Sequence, residues 1–311
     1  MGTEPLRLLF VVTGKDGNSA SEVDIIAVHG LSPCSVPDCE HAFNTWRKPP
    51  GEKGHLWLQE DLPEYNPKAR IFLYEYSSKI AYEGTKGLFF DKANDLLEDL
   101  YLERTAVSKF LSTSTAWSWG PFGRATLVNA HANPRYSLIR NSTYGLVFFG
   151  APHEGGEAIG AVAAKIGRSL GLQPKDDIFE TLKDGSIFAD TLKESWRHQL
   201  ESHQIVSFWE GIGDVVSRES ATFGLSGSRE NIVRLDADHR DLCRFDYSMH
   251  DQDNSKLVRG NIQALYKGAI RHSEFISQLS PVAEKGEDRF VALRSPNVAG
   301  GTSLFAESRA R

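Results

Sequence analysis

Asp24–Leu31 reads DIIAVHGL, and the predicted architecture of the chain follows from this run. Its apolar residues are too few for a helix of ordinary length, and they end abruptly at His29-Gly30, which is typical of a fully buried strand. Glycine lets the backbone turn sharply out of a sheet, and such a turn can aim backbone N–H groups at a bound oxygen atom. An ordinary turn is the alternative. His29, Gly30 and Leu31 are therefore candidate residues of an oxygen-binding loop.

Further strand-like and helical stretches alternate on the C-terminal side of this run. The strands carry β-branched and aromatic residues, and the helices place their apolar residues on one face. The predicted strands cover residues 5–12, 24–28, 69–76, 144–150, 204–210 and 231–235, and the predicted helices cover residues 89–111, 125–132, 157–171, 178–202 and 255–280. This alternation predicts an α/β fold with a mostly parallel sheet and helices on both faces. The first two strands can form a hairpin at the sheet edge.

Composition bounds the domain organisation and excludes some kinds of partner. The 311 residues are 40% hydrophobic and 24% charged, and the net charge is −6, so we expect no general basic surface for nucleic acid. No apolar run is long enough for a transmembrane segment or a signal peptide, and three cysteines suit the reducing cytoplasm. We expect an α/β domain over residues 1–278. Residues 279–311 lack any period, and we expect them to form a disordered tail or linker.

The sequence does not predict a metal site. Cys34, Cys39 and His41 share one loop, but zinc would need a second matching pair of ligands, which the sequence lacks. We expect no metal and no cofactor.

The chemically interesting side chains all follow predicted strands. They are His29, His153, the residues from Glu210 to Asp214, and His239 at the end of DADH. In open α/β sheets, functional sites lie at the carboxyl ends of the strands. These residues are therefore predicted to converge at one edge of the sheet.

Three segments together resemble a known family. They are Val23–Leu31 (VDIIAVHGL), Tyr144–Gly156 (YGLVFFGAPHEGG) and Asp236–Phe245 (DADHRDLCRF), with VSFWE at 206–210 and SATFGLS at 220–226 between the last two. They are similar to the serine-esterase-like α/β-hydrolases of the lipase and GPI inositol-deacylase group. The resemblance is closest to the hydrolase-like domain at the N-terminus of fungal NLR-type proteins, and it spans roughly residues 5–275. It implies an α/β-hydrolase fold and ancestral hydrolysis of an acyl or lipid ester.

The family carries its nucleophile in a G-x-S-x-G elbow between a strand and a helix. This sequence has no G-x-S-x-G, and the nearest substitute is Ala116–Gly120 (AWSWG), with Ser118 at its centre. Residues 112–124 show no clean strand period, so a disrupted central strand is expected and a surface-loop serine is the alternative for Ser118. The degenerate elbow indicates either a pseudoenzyme or a splice form that lost the elbow exon.

The resemblance implies roles for the remaining site residues. His239 stands where the family has its general base, and His153 is a rival that more often shapes the pocket. The orienting acid is Glu210 or Asp214, with Glu210 preferred because it ends a strand, and Glu219 is a third choice. N–H groups near Gly30-Leu31 would bind the oxyanion. Three tryptophans either line an acyl site or belong to the core: Trp46, Trp57 and Trp117.

The alternatives concern catalysis and folding. The chain is either a serine esterase acting on an acyl or lipid ester, or a non-catalytic sensing or interaction module that binds a protein partner. Nothing in it resembles a nucleotide-binding P-loop. A third possibility is an unstable product, because loss of the central strand would leave its neighbours unpaired.

Overall fold

A computed structural model describes residues 7–13, 21–30, 38–76, 86–106, 114–118, 121–153, 165, 199–200 and 202–279. The described strands are β1 (Arg7–Thr13), β2 (Val23–Val28), β3 (Arg47–Lys48), β4 (His55–Leu56), β5 (Ala69–Glu75), β6 (Ser114–Ser118), β7 (Gly145–Phe149), β8 (Gln204–Glu210) and β9 (Glu230–Leu235). The described α-helices are α1 (Asp38–Asn44), α2 (Trp57–Glu60), α3 (Leu62–Tyr65), α4 (Lys86–Ala106), α5 (Pro121–Ala132), α6 (Ser137–Ser142) and α7 (Met249–Leu279). The helices predicted over 157–171 and 178–202 lie almost wholly outside the described residues.

Seven of the described strands form one sheet, in the order β1-β5-β2-β6-β7-β8-β9. β1 runs antiparallel to β5, and every other neighbouring pair is parallel. The mostly parallel sheet is therefore confirmed. The predicted hairpin of the first two strands is wrong, because both edges of β2 are taken by β5 and β6.

Side chains along β2 and β5 alternate between two apolar cores, one on each face of the sheet. Ile26, Val28, Phe72 and Tyr74 pack with buried residues of α4, α5 and α6. Ile25, Ala27, Ile71 and Leu73 pack with buried residues of α1, α2, α3 and α7. Because both faces are covered, these strands consist of continuous apolar runs. The architecture is an α/β fold with a mostly parallel sheet and helices on both faces, as predicted.

The central strand β6 corrects the expectation of a disrupted sheet. Its backbone pairs with β2 from Ser114 opposite Val23 to Ser118 opposite Ala27, and with β7 from Ala116 to Ser118. The flanking strands supply a hydrogen-bonding partner on each side, and this does not require apolar side chains in β6. Helix α5 begins at Pro121, a position where proline is tolerated because its missing N–H would be unpaired anyway. Ser118 therefore has a strand before it and a helix shortly after it.

By its internal contacts the chain divides into two units, Met1–Ser273 and Glu274–Arg311. The first holds the sheet, and the described part of the second is the end of α7. The domain boundary at residue 278 stays a prediction. Within the described residues, every helix is too short or too polar to span a bilayer.

Candidate active site

The parallel strands bring the predicted site residues to one edge of the sheet. The carboxyl ends of the strands lie at Val28, Ser118, Phe149, Glu210 and Leu235. Ser118, the last residue of β6, lies in register between Ala27 of β2 and Val147 of β7. The backbone of β6 is described and its side chains are not, so the structure assigns Ser118 a place in the fold and no contacts.

His239 follows β9 on the loop of residues 236–247 and packs against Gly150. Gly150 has φ +56°, and a Cβ on it would lie 3.2 Å from His239 Nδ1. Burial lowers the pKa of His239 to about 4, although Asp238 acts in the opposite direction. The imidazole is therefore neutral at pH 7 and can accept a proton. Its Nδ1 is buried and has no hydrogen-bond partner in the part of the chain that is described.

The two principal candidate acids differ in their surroundings. Glu210 is 2% exposed; its Oε1 accepts a hydrogen bond from the N–H of Val216, whereas Oε2 has no partner among the described residues. Burial raises the pKa of Glu210, and the hydrogen bond from Val216 only partly offsets this. Asp214 has a 90% exposed side chain that lies 3.0 Å from Lys165 Nζ. Glu219 is exposed.

No hydrogen bond within the described structure joins His239 to Glu210 or Asp214. The loop that follows Glu210 is nevertheless adjacent to the His239 loop, because the Ile212 N–H donates to the Ala237 carbonyl at 3.2 Å. The structure thus brings the base and the buried acid to neighbouring segments without a hydrogen bond between them in the described residues.

His29 is a structural residue at this edge. Its Nδ1 lies 2.7 Å from the Gly30 carbonyl, and its Nε2 accepts from the N–H of Tyr76 at 3.3 Å. These contacts require a proton on Nδ1 and none on Nε2. Burial, followed by the nearby His41, lowers the pKa of His29 to about 3, so the neutral form persists. The Tyr76 ring stacks on the imidazole at 4.2 Å.

The loop predicted to bind an oxyanion is described only as far as Gly30. Tyr76 Oη donates to the His29 carbonyl at 3.1 Å, and its contact with the Gly30 carbonyl is longer, at 3.4 Å. His29 and Tyr76 together fix the end of β2 against β5. Leu31 lies outside the described residues.

His153 lies just after β7, at the same edge of the sheet. Its ring stacks on Phe223 with centroids 3.6 Å apart, and its Nδ1 faces the guanidinium of Arg124. Burial, followed by the charge of Arg124, holds the pKa of His153 well below its usual range. His153 is thus packed between an aromatic ring and a cation. This environment suits the pocket-shaping role predicted for it better than the role of a base.

Two of the tryptophans considered for an acyl site belong to the core. Trp46 and Trp57 are each 1% exposed, and their rings meet edge-to-face at 6.1 Å. The side chain of Trp117 lies outside the description. Among the described residues, no group of His, Cys, Asp and Glu is arranged to hold a metal ion.

Two residues near this edge of the sheet were not predicted as site residues from the sequence. Gly150 ends the YGLVFFG run, so its position after a buried strand was an available signal for a close approach. Arg124 had no such signal. Its side chain is buried with its Nη2 donating to the Pro152 carbonyl at 2.6 Å, and burial lowers its pKa to about 9.

Comparisons with known proteins find similarity only at low sequence identity. No protein-family model matches it. Protein SERAC1 of Homo sapiens is 24% identical over 253 residues, which is 72% of this chain and 36% of that protein. The chain therefore spans little more than a third of the length of this curated relative.

Several solved structures are similar at low identity. Carboxyl esterase 2 of Tuber melanosporum is 14% identical with a TM-score of 0.43, covering 85% of this chain and 86% of that one. The peroxisomal α/β-hydrolase Lpx1 of Saccharomyces cerevisiae is 8% identical with a TM-score of 0.41, covering 89% and 87%. The NocB thioesterase domain, in covalent complex with a fluorophosphonate nocardicin G analogue, is 12% identical with a TM-score of 0.38, covering 82% and 100%. Likenesses at this level say nothing about what the chain does.

Proposed function

We propose that this chain is a serine hydrolase that cleaves carboxylic esters, with an acyl or lipid ester as substrate. The observation that carries the proposal is the position of Ser118. It ends the central strand β6, helix α5 begins at Pro121, and the neutral imidazole of His239 lies at the same sheet edge. A strand–turn–helix context is what a nucleophile elbow requires.

In the proposed mechanism, Ser118 Oγ attacks the ester carbonyl carbon while His239 accepts the hydroxyl proton. N–H groups at the Gly30-Leu31 turn and directly after Ser118 stabilise the oxyanion. Collapse of this intermediate breaks the ester C–O bond, and His239 returns the proton to the leaving alcohol. Water, deprotonated by His239, then hydrolyses the acyl-enzyme and regenerates Ser118.

Glu210 is our choice as the group that orients the imidazole, because it is buried and its Oε2 has no partner among the described residues. Asp214 is the second choice, because its carboxylate is solvated and already paired with Lys165. For either acid, a side-chain rotation must bring the carboxylate to His239.

Labelling with a fluorophosphonate probe tests the proposal. We expect the folded wild-type protein to be labelled, and we expect Ser118→Ala and His239→Ala each to abolish labelling. Ser228→Ala, which removes an exposed loop serine, should label like the wild type. Absence of labelling in a wild-type protein that unfolds cooperatively would refute the proposal, as would labelling that survives Ser118→Ala.

A non-catalytic sensing or interaction module is the second candidate. It is favoured by the missing hydrogen bond between His239 and either acid in the described structure, together with the lack of a G-x-S-x-G motif. In this case the chain would be a hydrolase-like domain of the GPI inositol-deacylase-like group that binds a protein partner within a larger, fungal NLR-type protein. For both candidate functions we propose a cytoplasmic location, because the three cysteines of the chain suit a reducing compartment. A cooperatively folded protein that resists labelling would favour the module.

A further inference from the structure

The loop of residues 236–247, which carries His239, is bound along its second half by the segment of residues 45–57. Cys243 Sγ donates to the Thr45 carbonyl at 3.2 Å. Trp57 Nε1 donates to the Cys243 carbonyl at 2.9 Å, and His55 Nδ1 lies 2.9 Å from the Phe245 carbonyl. Two of the three loop groups in these contacts are backbone carbonyls, so the segment fixes the path of the loop rather than one side chain.

The same segment contacts the first half of the loop through one cation, Lys48. Lys48 Nζ lies 3.1 Å from Asp241 Oδ2 and 2.9 Å from Asp251 Oδ2. Asp251 is buried in the first turn of α7, and its Oδ2 also accepts the N–H of Asp246 at 2.9 Å. Lys48 therefore joins strand β3, the His239 loop and helix α7 at a single point.

Asp241 belongs to the same tight turn as His239. The Asp238 carboxylate accepts the N–H groups of Arg240 and Asp241, each at 3.0 Å, and the Asp238 carbonyl accepts the Asp241 N–H at 3.2 Å. His239 lies inside this turn. Since the His239 Nδ1 has no hydrogen bond of its own in the described structure, the orientation of the ring depends on the turn and on the packing against Gly150.

We propose that Lys48 is a positioning residue for His239 and acts through Asp241. The proposal rests on the proposed function of His239 as the general base. Burial opposes the charge of Lys48, but its hydrogen bonds to Asp251 and Asp241 outweigh this and raise its pKa. Lys48 is therefore charged throughout the pH range of an assay.

Without this charge, Asp241 would keep only the more distant Arg244, 4.0 Å away, and the Asp241 and Asp251 carboxylates would repel each other across the vacated position. Asp251 is buried and cannot leave, whereas the Asp241 side chain is 40% exposed and can turn toward solvent. The Asp238–Asp241 turn would loosen and His239 would lose its fixed orientation. Because a catalytic group misplaced by about 1 Å can cost roughly 100-fold in rate, we expect kcat to fall about 10- to 100-fold with little change in KM.

The test compares Lys48→Met with Lys48→Arg and with Lys68→Met. Lys68 also pairs with a carboxylate, Glu22, but at the amino ends of the strands. We expect Lys48→Met to lower kcat for p-nitrophenyl butyrate, Lys48→Arg to restore most of it, and Lys68→Met to leave it unchanged. The variant Asp241→Asn should lower kcat like Lys48→Met, and the double variant should be no worse than either, because both act through one contact.

A second readout separates this proposal from the proposed function. The imidazole ¹⁵N NMR signals of His239, assigned with His239→Gln, should shift or broaden in Lys48→Met and stay unchanged in Lys68→Met. If the wild type has no esterase activity but these signals respond, Lys48 positions His239 and the esterase proposal fails. The positioning role is overturned if Lys48→Met leaves both kcat and the His239 signals at wild-type values, or if Lys68→Met has the same effect.

Discussion

Gly150 provides a direct test of how closely the end of β7 packs against His239. Its φ of +56° lies in the left-handed region, where residues with a Cβ are strained. A methyl group added there would lie 2.6 Å from Leu242 Cδ1 and 3.2 Å from His239 Nδ1. Both neighbours belong to the His239 loop, so the substitution Gly150→Ala must displace the Leu242 side chain or the loop that carries it.

The expected cost has two parts. The left-handed backbone costs about 1–2 kcal/mol for a non-glycine residue. Forcing a methyl group against Leu242 and His239 adds about 1–3 kcal/mol, as overpacking of well-packed sites does. We therefore expect Gly150→Ala to lower the free energy of unfolding by about 2–5 kcal/mol, the sum of these two terms.

Gly224→Ala is the matched control. Gly224 has φ +68°, and nothing lies within 4 Å of the Cβ it would gain, so only the backbone cost of about 1–2 kcal/mol applies. Urea unfolding measures both stabilities, and the rate of fluorophosphonate labelling reports on His239. Gly150→Ala should be the less stable variant and the slower to label. Equal destabilisation of the two variants, with equal labelling, would refute the close packing of Gly150 against Leu242 and His239.

Two further predictions concern stability. The buried Asp24 carboxylate accepts Arg70 Nε at 2.7 Å and Nη2 at 2.9 Å, and lies 3.7 Å from Arg104 Nε. Asp24→Asn should therefore cost about 3–5 kcal/mol in urea unfolding, because it removes the negative charge shared by two largely buried arginines. A loss below about 1 kcal/mol would contradict this. Burial lowers the pKa of His29 to about 3 and of His203 to about 4, whereas both titrate near 6.5 when unfolded. As the pH falls, the unfolded state therefore binds protons before the folded state does. The contribution of the two histidines to the free energy of unfolding is complete above about pH 6.5, and about 2 kcal/mol for each histidine is lost at pH 5. Urea unfolding at pH 7 and pH 5 measures this loss. His203→Gln should reduce the difference in unfolding free energy between the two pH values by about 2 kcal/mol. An unchanged difference would contradict the lowered pKa of His203.

The apolar strands were predictable because burial on both faces leaves a continuous signal in the sequence. Strands β2, β5 and β7 are such runs, and the structure places them where the sequence predicted. Strand β6 carries no such signal, since STAWS contains only two apolar residues. The extended conformation of β6 is set by its pairing with β2 and β7. Because this preference comes from neighbours that are distant in the sequence, it cannot be found in a short stretch of residues around β6.

The site was predictable as a set of loops and not as a set of contacts. Topology alone brings Ser118, Glu210 and His239 to one sheet edge, because parallel strands end on the same side. Lys48 and Asp251 are 203 residues apart in the sequence, and no periodicity connects them. His29 was predicted to belong to an oxygen-binding loop, but its hydrogen bonds to Gly30 and Tyr76 could be assigned only from the structure.

The choice between the two acids follows from the free energy of unpaired groups. His239 Nδ1 and Glu210 Oε2 are both buried and both without a partner among the described residues, and the segments that carry them are adjacent. A buried polar atom without a partner costs about 1–3 kcal/mol, so a rotation that joins these two atoms would relieve both. Asp214 gains much less from the same move, because its carboxylate is solvated and would have to leave Lys165. The energetics therefore favour Glu210 over Asp214 as the partner of the imidazole in the proposed mechanism.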